Sequence, residues 1–308
     1  MKALLIGYGS IGKRHAEILN KIEKIKRIDI VTSQNIKNSY GKCFISMQKI
    51  DNFKEYDYFV IANETYKHFD TLKYITQKVS GKKILVEKPL FCKTRKLDIS
   101  NNIVYVAYNL RFHPIIEEIF NILKNKKAIF ANLIAGQYLP TWRPNIDYRQ
   151  SYSASEQKGG GVLRDLSHEI DYVNFLFSEI KHLYVINKKI SNLEISSDDI
   201  FTAIGETKSG TIVNITLDYI SKTPLRKIVI HTLNKTLKAD LIKNYIKIFD
   251  KFGKYQTIKK KVKRSDSYLK MHLSFINDKT ENLCSFKEGL KVMELIDQVK
   301  LKRRLNEK

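Results

Sequence analysis

Residues 2–12 read KALLIGYGSIG, a short apolar run that breaks into glycine at positions 7, 9 and 12. The apolar run predicts a strand, and GKRHAEILNKIEK (12–24) predicts the helix that follows it. In that setting each glycine has its own task. Gly7 permits the tight turn out of the strand, Gly9 lets the backbone touch a pyrophosphate, and Gly12 lets the helix settle on the strand. The helix N-terminus then points its N–H groups at the phosphates. The pattern GxGxxG alone is weak. Placed six residues into a strand–helix series, it predicts a dinucleotide site built from Gly7, Tyr8, Gly9, Ser10, Ile11 and Gly12.

The series continues outward from this loop. RIDIVTS (27–33) and YDYFVIA (56–62) read as strands, KHFDTLKYITQKV (67–79) as a helix, KKILVEKP (82–89) as strand and turn, and NIVYVAYN (102–109) as a strand. Strands alternating with helices predict an α/β Rossmann domain, a doubly wound parallel sheet, over residues 1–110. Past residue 111 the pattern changes. A helix at 113–125 precedes long strands at 127–139 and 199–220, the latter folding as a hairpin at Lys208–Ser209–Gly210. Further hairpins turn near Asn234 and at Gly253, and the tail from 284 reads as an amphipathic helix. Runs of hairpins predict an antiparallel or mixed sheet, so residues 111–308 form a second, α+β domain.

An acidic residue normally ends the second strand when the cofactor is NAD, where it holds the ribose 2′-hydroxyl. Here Thr32 and Ser33 occupy that place, and Asp29 lies inside the strand. Small hydroxyls with Lys37 nearby suit a 2′-phosphate, which tips the reading toward NADP over NAD.

The bulk numbers bound the alternatives. A chain of 308 residues with 43% hydrophobic and 28% charged residues describes two ordinary globular domains. No apolar run approaches the roughly 18–20 residues of a spanning helix. The N-terminus turns to glycine too soon for a signal peptide, and Cys43, Cys92 and Cys284 have no metal or disulfide spacing. Together these predict a cytoplasmic protein with no membrane association. The net charge of +23 is mostly lysine spread along the chain, densest in TIKKKVKR (257–264). That distribution reads as a solvated basic surface, with no nucleic-acid partner expected.

GGGVLRDLSHEIDYV (159–173) places Asp165, His168 and Asp171 three residues apart after three glycines. On one helix, Asp165 and His168 share a face. The stretch alone suits a hinge, a metal site of the form D-x2-H-x2-D, or a catalytic acid–histidine pair. A catalytic metal usually recruits further ligands from elsewhere, which weighs against the second. Trp142, Arg143, Tyr148 and Arg149 form an aromatic–cationic cluster suited to stacking on a sugar or nucleotide and pairing with its phosphate or carboxylate. His182, His231 and His272 read as structural or surface residues.

At VEKPL (86–90) the motifs add up. A strand ending Glu87–Lys88–Pro89 after a GxGxxG, followed by GGGVLRDLSHEID, resembles the Gfo/Idh/MocA oxidoreductases, which include glucose–fructose oxidoreductase and inositol dehydrogenase. VIANETYKH (60–68) resembles the family's cofactor loop, and AYNLRFHP (107–114) its domain junction. The resemblance implies an NAD(P)-binding domain, an open-faced and mainly antiparallel sheet domain, and an active site between them. It implies a homodimer or homotetramer built through the outer sheet face. It also implies Lys88, Asp165 and His168 as the catalytic set. Cofactor contacts follow at Ala62, Asn63, His68, Glu87 and Lys88, and substrate contacts at Asn109 and Arg111 beside the Trp142–Arg149 cluster. The family commonly has glycine where Ser167 stands. The stretch 137–161 resembles a branch linked to nucleotide-sugar or sialic-acid-like pathways of bacterial surface glycans. The expected activity is hydride transfer between a nicotinamide and a sugar hydroxyl or keto carbon, with Lys88 and His168 handling the proton. The alternative is a non-catalytic nicotinamide-binding sensor or assembly protein on the same fold.

Overall fold

The computed structural model describes residues 1–143, 146–263 and 265–306, with side chains to Leu301. Pro144 and Asn145 of the aromatic–cationic loop, and Arg264 at the end of the lysine-rich run, lie outside the described residues. The chain divides into two compact units, Met1–Phe112 with Arg264–Glu294, and His113–Lys263 with Leu295–Lys308.

The first unit opens with β1 (Lys2–Ile6), α1 (Ser10–Leu19), β2 (Arg27–Val31), β3 (Cys43–Phe44) and β4 (Tyr58–Ile61). It continues with α2 (His68–Lys78), β5 (Lys83–Val86) and β6 (Ile103–Val106). Strands β1, β4 and β5 are apolar almost throughout because a parallel sheet is buried on both faces. Helix α1 begins two residues earlier than the sequence predicts and stops at Leu19. Gly9 is extended and serves as N-cap, and Asn20 closes the other end.

The second unit contains α3 (Pro114–Leu123), β7 (Ala128–Gly136), α4 (Leu139–Trp142), α5 (Val162–Asp165) and α6 (His168–Phe177). Its remaining strands are β8 (Ile180–Lys188), β9 (Ile200–Thr207), β10 (Ile212–Asp218), β11 (Leu225–Thr232), β12 (Thr236–Asp240), β13 (Tyr245–Phe249) and β14 (Tyr255–Lys259). Further along, α7 (Asp266–Ile276) and β15 (Cys284–Ser285) belong to the first unit, and α8 (Phe286–Asn306) contributes to both. Helix α3 starts as its sequence asks, with Pro114 in the first turn and the His113 ring accepting from the Ile115 N–H.

The first sheet has the order β15-β6-β5-β4-β1-β2-β3 and is parallel except for β15 against β6. The order reverses around β1, which places the loops after β1 and β4 at the switch point where such folds bind ligands. Tyr268, Met271, Phe275 and Ile276 of α7 join the core formed by Ala3, Leu5, Ile28 and Ile30. The second sheet has the order β14-β13-β12-β11-β7-β10-β9-β8, antiparallel except for β7 beside β10. The expected hairpins at Lys208–Gly210, Asn234 and Gly253 are present. Strands β9 and β10 alternate buried and open positions, and Tyr184 of β8 sits opposite Ile204 of β9 with both rings and branches exposed to solvent on the open face.

Candidate functional site

The glycine loop has the geometry of a phosphate cradle. Gly7 has φ +96, and a Cβ there would lie 2.5 Å from Ala62 O and Asn63 N. A Cβ on Gly12 would collide with the Gly7 carbonyl, whereas one on Gly9 would meet nothing within 4 Å. Gly7 and Gly12 are therefore required by the protein's own backbone, and Gly9 leaves open space. No side chain caps α1 and no acid stands in its first turn, so its N–H groups and dipole are left to an anion. Ser10 and Ile11 form that first turn, and Tyr8 rests against the core. These residues fit a dinucleotide pyrophosphate. Asn63 adds to the fit. Its Nδ2 donates to Thr71 Oγ1 at 2.8 Å, while its Oδ1 is buried without a hydrogen bond.

At the end of β2, Thr32 Oγ1 accepts from the Gln34 N–H and Ser33 is exposed. Asp29 is fully buried, its carboxylate taken by Tyr56 OH, Arg27 Nε and the Lys42 N–H. No acidic side chain is thus presented for a ribose at this strand end.

The loop after β4 and the turn after β5 are tied together by His68. Its Nε2 lies 3.0 Å from Asn63 O, and its Nδ1 lies 3.2 Å from both Pro89 O and Leu90 O. Burial pushes the His68 pKa down. Both ring nitrogens face backbone carbonyls, so neither is open. Glu87 is buried, with Oε2 accepting from the Lys88 N–H at 3.0 Å and Oε1 beside His15. Lys88 follows β5 half-buried, and the Lys88–Pro89 bond is cis.

Asn109 and Arg111 are committed within the first unit. Asn109 Nδ2 donates to Ser267 Oγ at 2.7 Å, and Arg111 Nη1 donates to Leu283 O and Glu288 Oε1. These contacts hold the 265–288 segment against the 3₁₀ turn at Asn109–Phe112.

In the second unit, Asp165 and His168 do not share one helix. Helix α5 ends at Asp165, Leu166 leaves helical geometry at φ −100 and ψ +28, and His168 begins α6. Ser167 sits between them fully buried, with φ −65 and ψ −8. That conformation suits any residue, so serine stands there without backbone strain. Asp165 is buried, and its Oδ2 accepts from Ser153 Oγ at 2.5 Å and Tyr219 OH at 2.6 Å. Asp171 is buried on α6.

Two of the three glycines approach the chain itself. A Cβ on Gly160 would strike the carbonyls of Tyr152 and Ser153, and one on Gly161 (φ +115) would strike the Asp198 carboxylate. Their smallness therefore lets α5 and Asp165 seat against residues 152–153 and Asp198. Asp198 takes the Leu163 N–H, Asn187 Nδ2 and Lys300 Nζ, and Lys300 stands 2.8 Å away. Burial works to raise the Asp198 pKa. Lys300, Asn187 and the Leu163 amide outweigh it and hold the carboxyl below its ordinary range.

Of the aromatic–cationic cluster, Trp142 and Arg143 lie beside Tyr219 and Tyr152. The Trp142 ring is 5.9 Å from that of Tyr219, and the Arg143 guanidinium stands 4.8 Å over Tyr152. Arg149 is instead clasped by Asp147, Nε to Oδ1 at 3.0 Å and Nη2 to Oδ2 at 2.9 Å, with Glu194 beyond. Tyr148 OH accepts from the Glu194 N–H. Ser153, Tyr152 and Tyr219 carry no motif, and sequence reasoning missed them. Tyr152 and Ser153 lie in YSAS, just ahead of the glycines they touch.

Among the described residues, no group of three or more His, Cys, Asp or Glu side chains is placed to hold a metal ion. No helix among them is long and apolar enough to cross a membrane.

Comparison with known families matches residues 1–105 to an oxidoreductase family with an NAD-binding Rossmann fold. Residues 132–238 match the GFO/IDH/MocA C-terminal domain. A search of curated protein sequences gave no match. Among solved structures, UDP-N-acetylglucosamine 3-dehydrogenase GnnA from Acidithiobacillus ferrooxidans is similar at 18% identity and a TM-score of 0.79. The match covers 98% of this chain and 97% of that one. A levoglucosan dehydrogenase in complex with NADH is similar at 15% identity and a TM-score of 0.83, covering 97% and 95%. An oxidoreductase from Agrobacterium radiobacter in complex with NAD+, L-tartaric acid and magnesium matches at 14% identity and 0.79, covering 96% and 94%.

Proposed function

Because the chain belongs to the GFO/IDH/MocA oxidoreductases, we propose that it moves a hydride between a nicotinamide cofactor and the hydroxyl or keto carbon of a sugar or nucleotide sugar, with Lys88 and His168 handling the proton. The observation that carries the reading is the uncapped start of α1, with Gly7 and Gly12 closed in by backbone and Gly9 facing open space. The nicotinamide, when bound, supplies the two-electron acceptor or donor. Everything else falls to the chain. In the oxidising direction His168 takes the hydroxyl proton, which suits an imidazole near neutral pH. The Lys88 ammonium hydrogen-bonds the reacting oxygen and stabilises the negative charge that builds there. In reduction the same groups return the proton.

Asp165 orients a neighbouring sugar hydroxyl, its carboxylate steadied by Ser153 and Tyr219. Trp142 offers a face to stack on, and Arg143 a cation for a phosphate or carboxylate. The likeness to a UDP-N-acetylglucosamine 3-dehydrogenase and to a levoglucosan dehydrogenase supports a sugar as substrate. We read the uncovered face of the second sheet as the place where two or four copies meet. The three free cysteines accord with the reducing cytoplasm.

The test is absorbance at the reduced-nicotinamide band with NAD+ or NADP+ and a panel of sugars, UDP-N-acetylglucosamine first. Lys88→Ala should abolish turnover with NADH affinity near that of the parent. Full activity in that variant, or no absorbance change with any sugar, would sink the reading.

A further inference from the structure

Four side chains of the first unit form one unbranched line of hydrogen bonds. Glu87 Oε1 lies 2.8 Å from His15 Nε2, His15 Nδ1 lies 2.8 Å from His272 Nε2, and His272 Nδ1 lies 2.8 Å from Tyr58 OH. His15, His272 and Tyr58 expose no surface, and Glu87 almost none. The members come from four different elements: α1, β4, α7 and the residue just past β5. At the head of the line, the second Glu87 oxygen takes the N–H of Lys88.

Donor–acceptor matching leaves one direction. A carboxylate only accepts, so His15 donates from Nε2. At the other end the Tyr58 hydroxyl donates to His272 Nδ1, so a neutral His272 donates from Nε2 and His15 accepts at Nδ1. Burial keeps the Tyr58 phenol protonated and His272 neutral. The opposite direction would aim the Tyr58 hydrogen at no acceptor among the described residues. The line closes at a buried phenol, so it does not conduct protons to solvent. The two imidazoles point nitrogen at nitrogen, so their lone pairs do not converge on a metal.

We propose that His272, with His15 and Tyr58, is a positioning residue for Lys88: the line fixes the Glu87 carboxylate in one orientation, and that carboxylate fixes the Lys88 backbone where β5 ends. Apolar side chains fill such a volume with no buried polar group to satisfy, whereas a fully matched polar line specifies a single arrangement. His15 lies one turn beyond Gly12, on the helix whose N-terminus faces the phosphates. The same line therefore registers Lys88 to the cofactor cradle. The role of His272 rests on the reading of Lys88 as the proton-handling lysine.

The experiment uses the full chain and three variants. His272→Phe removes both ring nitrogens, His272→Gln keeps an N–H toward His15, and Tyr58→Phe removes only the terminal hydroxyl. Lys88 amide hydrogen exchange and the His15 tautomer are read by nitrogen-15 NMR. NADH affinity is read by fluorescence, and kcat and KM with NAD+ and UDP-N-acetylglucosamine. In His272→Phe, Lys88 exchange should quicken and kcat should fall, each at least about tenfold, with KM and NADH affinity within about twofold. His272→Gln should recover most of both. Unchanged Lys88 exchange, or full kcat with a loosened Lys88, overturns the proposal. Should His272→Phe fail to fold, Tyr58→Phe decides by the same exchange readout. Should the parent turn over no sugar, the functional reading falls, and exchange and tautomer still decide the positioning.

Discussion

The hydroxyl of Tyr219 donates to Oδ2 of Asp165 across 2.6 Å, and Ser153 Oγ donates to the same oxygen. Burial first, and the Asp165 charge next, push the Tyr219 phenol well above its ordinary pKa, so it is a donor at any working pH. Tyr219→Phe strips one donor from a buried carboxylate, which should destabilise the protein by about 1–3 kcal/mol in urea denaturation. It should also lower kcat while NADH affinity stays near that of the parent. An unchanged kcat in a stable variant would remove Asp165 from the chemistry.

Lys300 and Asp198 form a buried pair far apart in sequence, with both side chains almost fully enclosed. Lys300→Met takes the Lys300 cation away from the buried carboxylate and should cost about 3–5 kcal/mol. The pH dependence follows from the depressed folded pKa of Asp198. Its stabilisation is fully present above the unfolded value of about 4 and is lost as pH falls through the lower folded value. Asp198→Asn should therefore flatten the acid limb below about pH 4, measured by denaturation from pH 2 to 6. An acid limb as steep as the parent's would contradict the pairing.

Much of the first unit was legible because its signals are local. An apolar run, three glycines and a helix lie within 20 residues; in the second unit the hairpin turns carry glycine or asparagine where the chain reverses. The helix α7 was not legible as part of that core, since nothing in its own pattern says which unit receives Tyr268 or Phe275. The same limit hid His272, read as an ordinary histidine until its partner 257 residues away was known. The sequence does not say what the glycines approach; Gly160 and Gly161 press on Tyr152, Ser153 and Asp198. Helical spacing also put Asp165 and His168 on one helix, and the turn at Leu166–Ser167 separates them into two. Long-range polar pairs leave no periodic trace in a sequence.

Gly9 separates folding from cofactor binding. Its φ of −72 suits alanine, and a Cβ there meets no protein atom within 4 Å. Gly9→Ala should keep stability within about 0.5 kcal/mol of the parent, as for other substitutions away from packed features. NADH affinity should fall at least about tenfold, because the added methyl enters the space left for the pyrophosphate. Calorimetry beside fluorescence titration checks both halves. Parental affinity in this variant would mean that the loop does not hold phosphate.

The end of β2 governs the choice between the two nicotinamides. With Asp29 consumed inside the sheet and only Thr32 and Ser33 at the strand end, nothing acidic opposes a 2′-phosphate. The parent should therefore bind NADPH as well as NADH. Ser33→Asp puts a carboxylate where a ribose 2′-hydroxyl is held in NAD-selective folds. The NADPH-to-NADH affinity ratio should fall at least about tenfold, a difference of about 1.4 kcal/mol. Titration of both dinucleotides into parent and variant measures the ratio directly. An equal loss of both affinities would show that Ser33 does not face the ribose.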